Sequence, residues 1–302
     1  MRREPGENEA ATDELSVVYS PCPNDTFVFH AWTHGLLPNV PRISVSLADI
    51  DITNEQAARG EHDVLKISYA SLPYVLEEYA LLPCGGAVGR GCGPLVLVKD
   101  GDDPRSLVGR RVAVPGTRST AYLLFRLWAR ARVSADPVGS AEGIGEIVVM
   151  PFNEIMPAVR DGVVDAGLVI HEARFVYPDY GLRALADMGE EWEKTTGLAV
   201  PLGAIVARRS LGERVLGRIA DTIRASVRHA WNDPAASRTY VREHAQEMDQ
   251  KVVDQHIALY VNRHTEDLGE EGFAAVHGLL SRAADEGLVP QVAPEALRFP
   301  GT

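Results

Sequence analysis

The residue of this chain best placed for acid–base chemistry is a histidine that follows an apolar segment. The segment from Ala166 to Ile170 predicts a strand buried on both faces, and His171 comes directly after it. Ligand crevices in open α/β sheets lie beyond the carboxyl ends of strands, so a general base would be useful there. An imidazole ordinarily titrates near neutral pH, which suits proton abstraction. A histidine that caps the strand end by bonding the backbone is the alternative, and one residue alone does not decide between them.

Two strand–turn–helix units offer further contacts to a ligand. In the first, a strand over Leu15–Ser20 is followed by the turn Pro21–Thr26, whose prolines end the strand. Asn24 and Asp25 are favourable N-cap residues for the next helix, whose free N–H groups could bind an anion. We therefore count both residues as candidate substrate contacts, although a plain capped turn has the same pattern.

The second unit has a strand over Arg111–Val114, the turn Pro115–Thr120 and then a helix. Hydroxyl side chains and free N–H groups at the start of this helix would form a cradle for a carboxylate. The unit is not a P-loop because it lacks the terminal Gly-Lys-Ser/Thr. The glycines between Gly85 and Gly93 do not have the spacing of a dinucleotide-binding loop and predict a bending strand and loop.

Composition indicates a soluble protein with two domains of ordinary size. The chain has 302 residues, of which 45% are hydrophobic and 24% charged. A formal net charge of -12 argues against nucleic acid or an anionic membrane as the partner. Three cysteines without a Cys-x-x-Cys argue against a disulfide framework or a zinc site and fit a reducing compartment. We expect a cytoplasmic protein, because no signal peptide or membrane-spanning segment is evident.

Alternating strands and helices predict two α/β lobes with a ligand cleft between them. A strand over Pro94–Lys99 is assigned to the first lobe, and the polar stretch Gly101–Ser106 is predicted to carry the chain into the second. The segment Leu202–Ala207 is predicted to return it. The predicted division is a disordered tail at residues 1–14, a larger lobe at residues 15–102 plus 206–302, and a smaller lobe at residues 103–205.

From Leu211 onward the apolar residues recur at helical spacing and predict amphipathic helices. We assign these apolar faces to core packing and give them no role in cofactor binding. Their members are Val215, Leu216, Ile219, Ile223, Val227 and Trp231, then Val252, Val253, Ile257, Tyr260 and Val261, then Phe273, Val276, Leu279, Leu280 and Ala283.

Six sequence blocks in a fixed order together cover nearly the whole chain after Leu15. They are SPCPNDTFVFHAWTHGLL, LKISYASLPYV, GGAVGRGCGPLVLV, RVAVPGTRSTAYLL, AGLVIHEARFVYPDYGL and TTGLAVPLGAIVARR. In these blocks the chain resembles the 1,4-dihydroxy-6-naphthoate synthases of the futalosine route to menaquinone. Six ordered blocks are far more specific than one short motif.

The resemblance implies a two-lobed, class II periplasmic-binding-protein-like fold and a carbon–carbon lyase that converts cyclic dehypoxanthine futalosine to 1,4-dihydroxy-6-naphthoate. It implies that His171, in the Ile-His-Glu motif, is the proton-abstracting base. It also implies that two short segments line the pocket of a small carboxylate substrate, and that no metal, flavin or nicotinamide is needed. These segments are Lys66, Ile67 and Ser68, and Ser119, Thr120 and Ala121.

Several alternatives remain open at this stage. His171 and Glu172 begin like a zinc-protease motif, but Phe175 stands where the second histidine would be, so we expect no metal. Cys22 could be a nucleophile or a small buried residue. Lys66 could act as a base or pair with the substrate carboxylate. A chorismate dehydratase-like enzyme and a non-catalytic small-anion-binding protein are the alternative functions, and the sequence leaves the oligomeric state open, a homodimer included.

Overall fold

Two β-sheets form the framework of the protein. The computed structural model describes residues 14–101, 107–132, 143–245 and 249–299. The predicted disordered tail therefore lies outside the described residues, except for Glu14. The strands in chain order are β1 (Leu15–Tyr19), β2 (Ile43–Leu47), β3 (Val64–Ser68), β4 (Tyr79–Leu81), β5 (Ala87–Gly89), β6 (Leu95–Lys99), β7 (Arg111–Val114), β8 (Glu146–Val149), β9 (Ala166–Val169), β10 (Leu182–Asp187) and β11 (Val200–Arg208).

The two sheets repeat one strand order. The first sheet runs β2-β1-β3-β11-β4, with β5 also paired to β11, and the second runs β8-β7-β9-β6-β10. In each sheet the first three strands of this order are parallel to one another, and the fourth is antiparallel to its neighbours. That antiparallel strand comes from outside the chain segment that supplies the other strands of its sheet, which are β1–β5 in the first sheet and β7–β10 in the second. The two halves of the chain thus exchange one strand each.

This exchange corrects the predicted crossing points between the sheets. Leu95–Lys99 was assigned to the first lobe, but β6 pairs with β9 and β10 in the second sheet. The chain therefore crosses at residues 90–94 instead of at Gly101–Ser106, and it returns at residues 197–199, before Val200. The prediction followed chain order, whereas in the structure β6 lies between β9 and β10 and is antiparallel to both.

Helices cover both sheets. In chain order they are α1 (Pro23–Thr33), α2 (Ile50–Ala58), α3 (Thr120–Arg132), α4 (Phe152–Arg160), α5 (Ala173–Val176), α6 (Met188–Thr196), α7 (Glu213–Asn232), α8 (Arg238–His244), α9 (Gln250–Tyr260), α10 (Arg263–Glu266) and α11 (Gly269–Asp285). The amphipathic helices predicted beyond Leu211 are present as α7, α9 and α11, and α7 packs along α1. Trp231 is an exception to the predicted core face, since it is 39% exposed in the last turn of α7.

One predicted helix differs from the structure for a local chemical reason, and one strand was not predicted. The helix predicted over Ser71–Tyr79 is a short 3-10 segment, Tyr69–Tyr74, followed by β4, because Pro73 interrupts helical hydrogen bonding. The strand β10 was not predicted at all.

Among the described residues, none of the helices is both long and apolar enough to cross a membrane.

Candidate active site

The carboxyl ends of β1, β3, β7 and β9 face one cavity of about 620 Å³ between the two sheets. This volume counts all the space between the lining atoms, including the part that is open to solvent. Segments from both sheets contribute to its wall, as the sheet rule for ligand crevices predicts. The lining residues are Ser20, Asn24, Asp25, Ile50, Lys66, Ser68, Ala87, Cys92, Pro94, Ser119, Thr120, Ala121, Ile170, His171, Leu202, Gly203 and Tyr260.

Most of the candidate residues predicted from the sequence meet at this cavity. His171, Lys66, Ser68, Ser119, Thr120, Ala121, Asn24 and Asp25 all line it. Ile67 does not, because alternate residues of a strand face opposite sides of the sheet. Its side chain is fully buried in a hydrophobic cluster with Tyr69 and Leu72.

His171 is held in an unusual backbone conformation next to a thiol. Its φ of 53° lies in the left-handed region, which few residues other than glycine adopt. The turn directs the imidazole toward α1, where His171 Nδ1 lies 3.4 Å from Cys22 Sγ. The ring of Phe152 packs edge-on against it, with ring centroids 5.5 Å apart. A strained residue that the structure fixes from several sides is typical of functional sites.

Burial controls the protonation of this pair. It lowers the pKa of His171 to about 4, and the positive charge of Lys66 adds to the effect. Burial first, and then the carboxylate of Glu172, raise the pKa of Cys22 well above its usual value. The pair is therefore a neutral imidazole beside a neutral thiol at neutral pH, which argues against Cys22 as a thiolate nucleophile.

A buried ion pair forms the opposite wall of the cavity. Lys66 Nζ donates to Asp25 Oδ1 at 2.6 Å, and Asn24 Nδ2 donates to the same oxygen at 2.8 Å. Burial raises the pKa of Asp25, and Lys66 opposes this effect. Gly203 makes room for the lysine, because a Cβ there would lie 2.6 Å from Lys66 Cε.

Asn24 and Asp25 do not cap α1, contrary to the prediction. The N-cap residue is Cys22, and Pro23 begins the helix, so both residues lie within its first turn. Proline is favourable at this first position because its missing N–H needs no helical partner. Neither side chain caps the helix, and instead Asp25 accepts from Lys66 while Asn24 bonds Asp25 and His256.

The hydroxyl groups predicted to bind substrate differ in what they already bond. Thr120 Oγ1 donates to the Leu202 carbonyl at 2.8 Å and accepts from Ala70 N–H. Ser119 Oγ donates to the Gly116 carbonyl and accepts from Tyr122 N–H.

Each hydroxyl carries one proton, so Ser119 and Thr120 have none left to donate in this conformation. Ser68 Oγ accepts from Asn54 Nδ2 at 3.1 Å. Its proton has no acceptor in the described part of the chain, so it is available to a ligand.

Sequence reasoning missed the contribution of α9. Tyr260, which was assigned to the core, lines the cavity, and His256 one turn earlier on the same helix contacts Asn24. The signal that could have revealed them is a histidine and a tyrosine four residues apart on the predicted buried face of a helix.

In the part of the chain that the structure describes, no three His, Cys, Asp or Glu side chains come together to hold a metal ion.

Two sheets of matching strand order with a cavity between them define a periplasmic-binding-protein-like fold. The alkanesulfonate-binding protein of Xanthomonas axonopodis pv. citri has this architecture. It superposes with a TM-score of 0.71 at 17% identity, over 93% of this chain and 96% of that one. At this identity the likeness concerns the fold alone.

Residues 15–285 match a family model described as menaquinone biosynthesis, and the chain belongs to this family. It is 68% identical to a 1,4-dihydroxy-6-naphthoate synthase of Streptomyces coelicolor over 96% of this chain and 100% of the relative. It is 41% identical to a protein of the same name from Thermus thermophilus over 91% of this chain and 96% of the relative. The resemblance stated from the sequence blocks is confirmed.

Proposed function

We propose that this protein is a carbon–carbon lyase of menaquinone biosynthesis that converts cyclic dehypoxanthine futalosine to 1,4-dihydroxy-6-naphthoate. The observation that carries this proposal is its high identity, over the full length of the relative, to a synthase of that name. The cavity supports it with polar side chains contributed by segments of both sheets. Formation of an aromatic product drives the reaction, so the protein mainly has to remove a proton and hold the substrate carboxylate.

In this proposal His171 is the general base. Its Nδ1 faces the neutral Cys22 thiol, so a proton on Nδ1 that points to the sulfur leaves the Nε2 lone pair to accept the substrate proton. The left-handed backbone and the edge of Phe152 keep this orientation. Cys22 thus acts through His171 and not on the substrate.

Substrate binding strengthens this base. In the empty site Lys66 helps to keep the pKa of His171 near 4, which makes the imidazole neutral but weakly basic. A substrate carboxylate beside Lys66 would offset that positive charge and raise the pKa of His171 in the complex. Lys66, Ser68 and the N-terminal N–H groups of α3 are the donors we assign to the carboxylate, and Ser119, Thr120 and Ala121 shape that end of the cavity.

Partner and location follow from charge and family. We propose that the protein acts on its small-molecule substrate in the cytoplasm and binds neither nucleic acid nor membrane, which a net charge of -12 supports. We also propose that the two sheets with their helices behave as two lobes.

A turnover assay tests the function directly. Purified protein is incubated with cyclic dehypoxanthine futalosine, and in a parallel reaction with chorismate, and the products are followed by liquid chromatography and mass spectrometry. We expect a dihydroxynaphthoate from the first and no change in the second. An enolpyruvyl product from chorismate would favour a dehydratase, and saturable binding without any product would favour a solute-binding protein.

A further inference from the structure

A second histidine lies behind the cavity and is not used by the reaction proposed above. His256 on α9 is fully buried, and its Nε2 lies 3.0 Å from Asn24 Oδ1. Its ring is nearly parallel to that of His171, with centroids 6.1 Å apart. Burying an imidazole is costly unless its polar atoms are used, so this placement calls for a role.

The protons around His256 follow from its neighbours. Asn24 Nδ2 donates to Asp25 Oδ1, and an ionised carboxylate can only accept. This bond fixes the orientation of the Asn24 amide and turns its Oδ1 toward His256 as an acceptor. His256 Nε2 must therefore carry the proton. In the described part of the chain, Nδ1 of the same ring has no hydrogen-bond partner, since Glu172 Oε2 lies 3.9 Å away.

We propose that His256 is a positioning residue of the active site, whose Nε2–H fixes the Asn24 amide and thereby holds Asp25 in place for Lys66. The chain of bonds runs from His256 to Asn24, from Asn24 to Asp25, and from Lys66 to the same Asp25 oxygen at 2.6 Å. Its far end consists of three residues that line the cavity, whereas His256 itself does not line it. This role rests on the function proposed above.

The imidazole ring of His256 also places an uncharged group next to His171. Burial, and then the neighbouring His171, hold the pKa of His256 well below its usual value, so the ring stays neutral. The ionisable groups that face it are His171, Glu172 and Tyr260, the last at a ring distance of 4.6 Å, and the Asp25–Lys66 pair is connected to it through Asn24. A cation at this position would oppose the positive charge that His171 acquires as it takes a proton.

The test compares two substitutions at one position. The side chain of His256→Gln can again donate from an amide nitrogen near the position of Nε2, whereas His256→Leu cannot. We expect His256→Leu to lower kcat/KM about 10- to 100-fold through misplacement of the Asn24–Asp25–Lys66 chain, and His256→Gln to recover most of it. His264→Leu is the matched control, because His264 is a buried histidine that bonds the Leu268 carbonyl and does not line the cavity. It should lower the thermal midpoint without changing kcat/KM.

A double-mutant cycle and a spectrum separate positioning from simple stability. His256→Leu should add almost nothing to Asn24→Ala, because both break the same chain. Nitrogen-15 spectra of the ligand-free wild type should show His256 with its proton on Nε2, and Asn24→Ala should shift this tautomer. The spectra need no turnover, so they remain decisive if the wild type fails to convert the substrate and the proposed function falls, or if His256→Leu does not fold.

Three results would overturn the proposal. A proton on Nδ1 of His256 would contradict the assigned chain of bonds. Equal losses of kcat/KM in the Leu and Gln variants, together with full additivity between His256→Leu and Asn24→Ala, would indicate a structural role alone. Loss of all turnover in both variants, to the level of a base deletion, would make His256 the base itself.

Discussion

The chemistry assigned to His171 depends on one side chain in a backbone conformation that few residues tolerate. We expect His171→Asn to lower turnover by about 10²- to 10⁴-fold, because the general base is removed. Asparagine is the appropriate replacement because it accepts a positive φ better than most residues. Circular dichroism and ligand affinity serve as controls for an intact fold. Near-normal turnover by a folded variant would place the base elsewhere.

The same residue predicts an unusual pH profile. A base must be unprotonated to act, and the pKa of His171 is lowered to about 4 in the free protein. The acid limb of log kcat/KM should therefore bend near pH 4 and not near 6.5, the ordinary value for histidine. The limb of kcat, which reports the substrate complex, should lie at higher pH because bound carboxylate offsets Lys66. A limb of kcat/KM near pH 6.5 would contradict the lowered pKa of His171 in the free protein.

At the scale of elements, the hydroxyl groups at the start of α3 and at the end of β3 differ in whether their proton is available to a ligand. Ser68 has a proton to donate, so Ser68→Ala should raise KM with little change in kcat and cost about 0.5–1.5 kcal/mol of binding. Thr120 instead bridges α3 to β11, so Thr120→Val should lower the free energy of unfolding by about 1–3 kcal/mol through unpaired buried groups. Steady-state kinetics and urea unfolding of both variants check this contrast. Equal effects on KM alone would show that Thr120 contacts substrate directly.

The type of element that carries a residue also decided whether its place in the site could be predicted from the sequence. His171 was found because it directly follows a predicted buried strand, and such positions lie at a ligand crevice. Lys66 and Ser119 were assigned to the pocket through the resemblance of their sequence blocks to the family. Tyr260 and His256 could not be found in this way. Helical periodicity shows that a face is buried but does not show whether it is buried against core or against a ligand site. The prediction that β6 belongs to the first sheet was wrong for a related reason, because pairing between segments distant in the chain decides which sheet a strand joins.

Across the whole molecule, buried neutral histidines predict acid sensitivity. The pKa values of His171 and His30 are lowered to about 4, and that of His256 is also lowered. Between about pH 6.5 and 4 the unfolded chain therefore binds more protons than the folded one, so stability is lost as pH falls through this window. Each histidine contributes a slope of at most about 1.4 kcal/mol per pH unit.

Asp25, whose pKa is raised, has the opposite sign and partly compensates. Urea unfolding at several pH values measures the net slope. A His30→Gln variant should show a shallower dependence, because it removes one of these groups and His30 does not line the cavity. Constant stability from pH 6.5 to 4.5 would contradict the neutral state of these histidines.

The two sheets are linked in a way that permits opening of the cleft. The two crossings run side by side, with Arg90 Nη2 donating to the Gly197 carbonyl at 2.9 Å, and a few residues there can absorb a rotation. Gly93 lies so close to Gly189 that a Cβ would come within 2.1 Å of its nitrogen, so this junction is fixed on the side of the second sheet. Across the cleft, Thr120 bonds Leu202 and Ser71 Oγ donates to the Arg118 carbonyl at 3.0 Å.

We therefore predict that the lobes close around ligand, with these cross-cleft bonds as the contacts of the closed form. A polar substrate must enter a cavity that they bridge, and exclusion of water should precede proton removal by His171. Small-angle scattering should give a smaller radius of gyration with a saturating substrate analogue than without it. Thr120→Val, which loses one cross-cleft bond of the closed form, should reduce this ligand-dependent decrease in radius. An unchanged radius, with binding confirmed by calorimetry, would mean that the cavity is rigid and preformed.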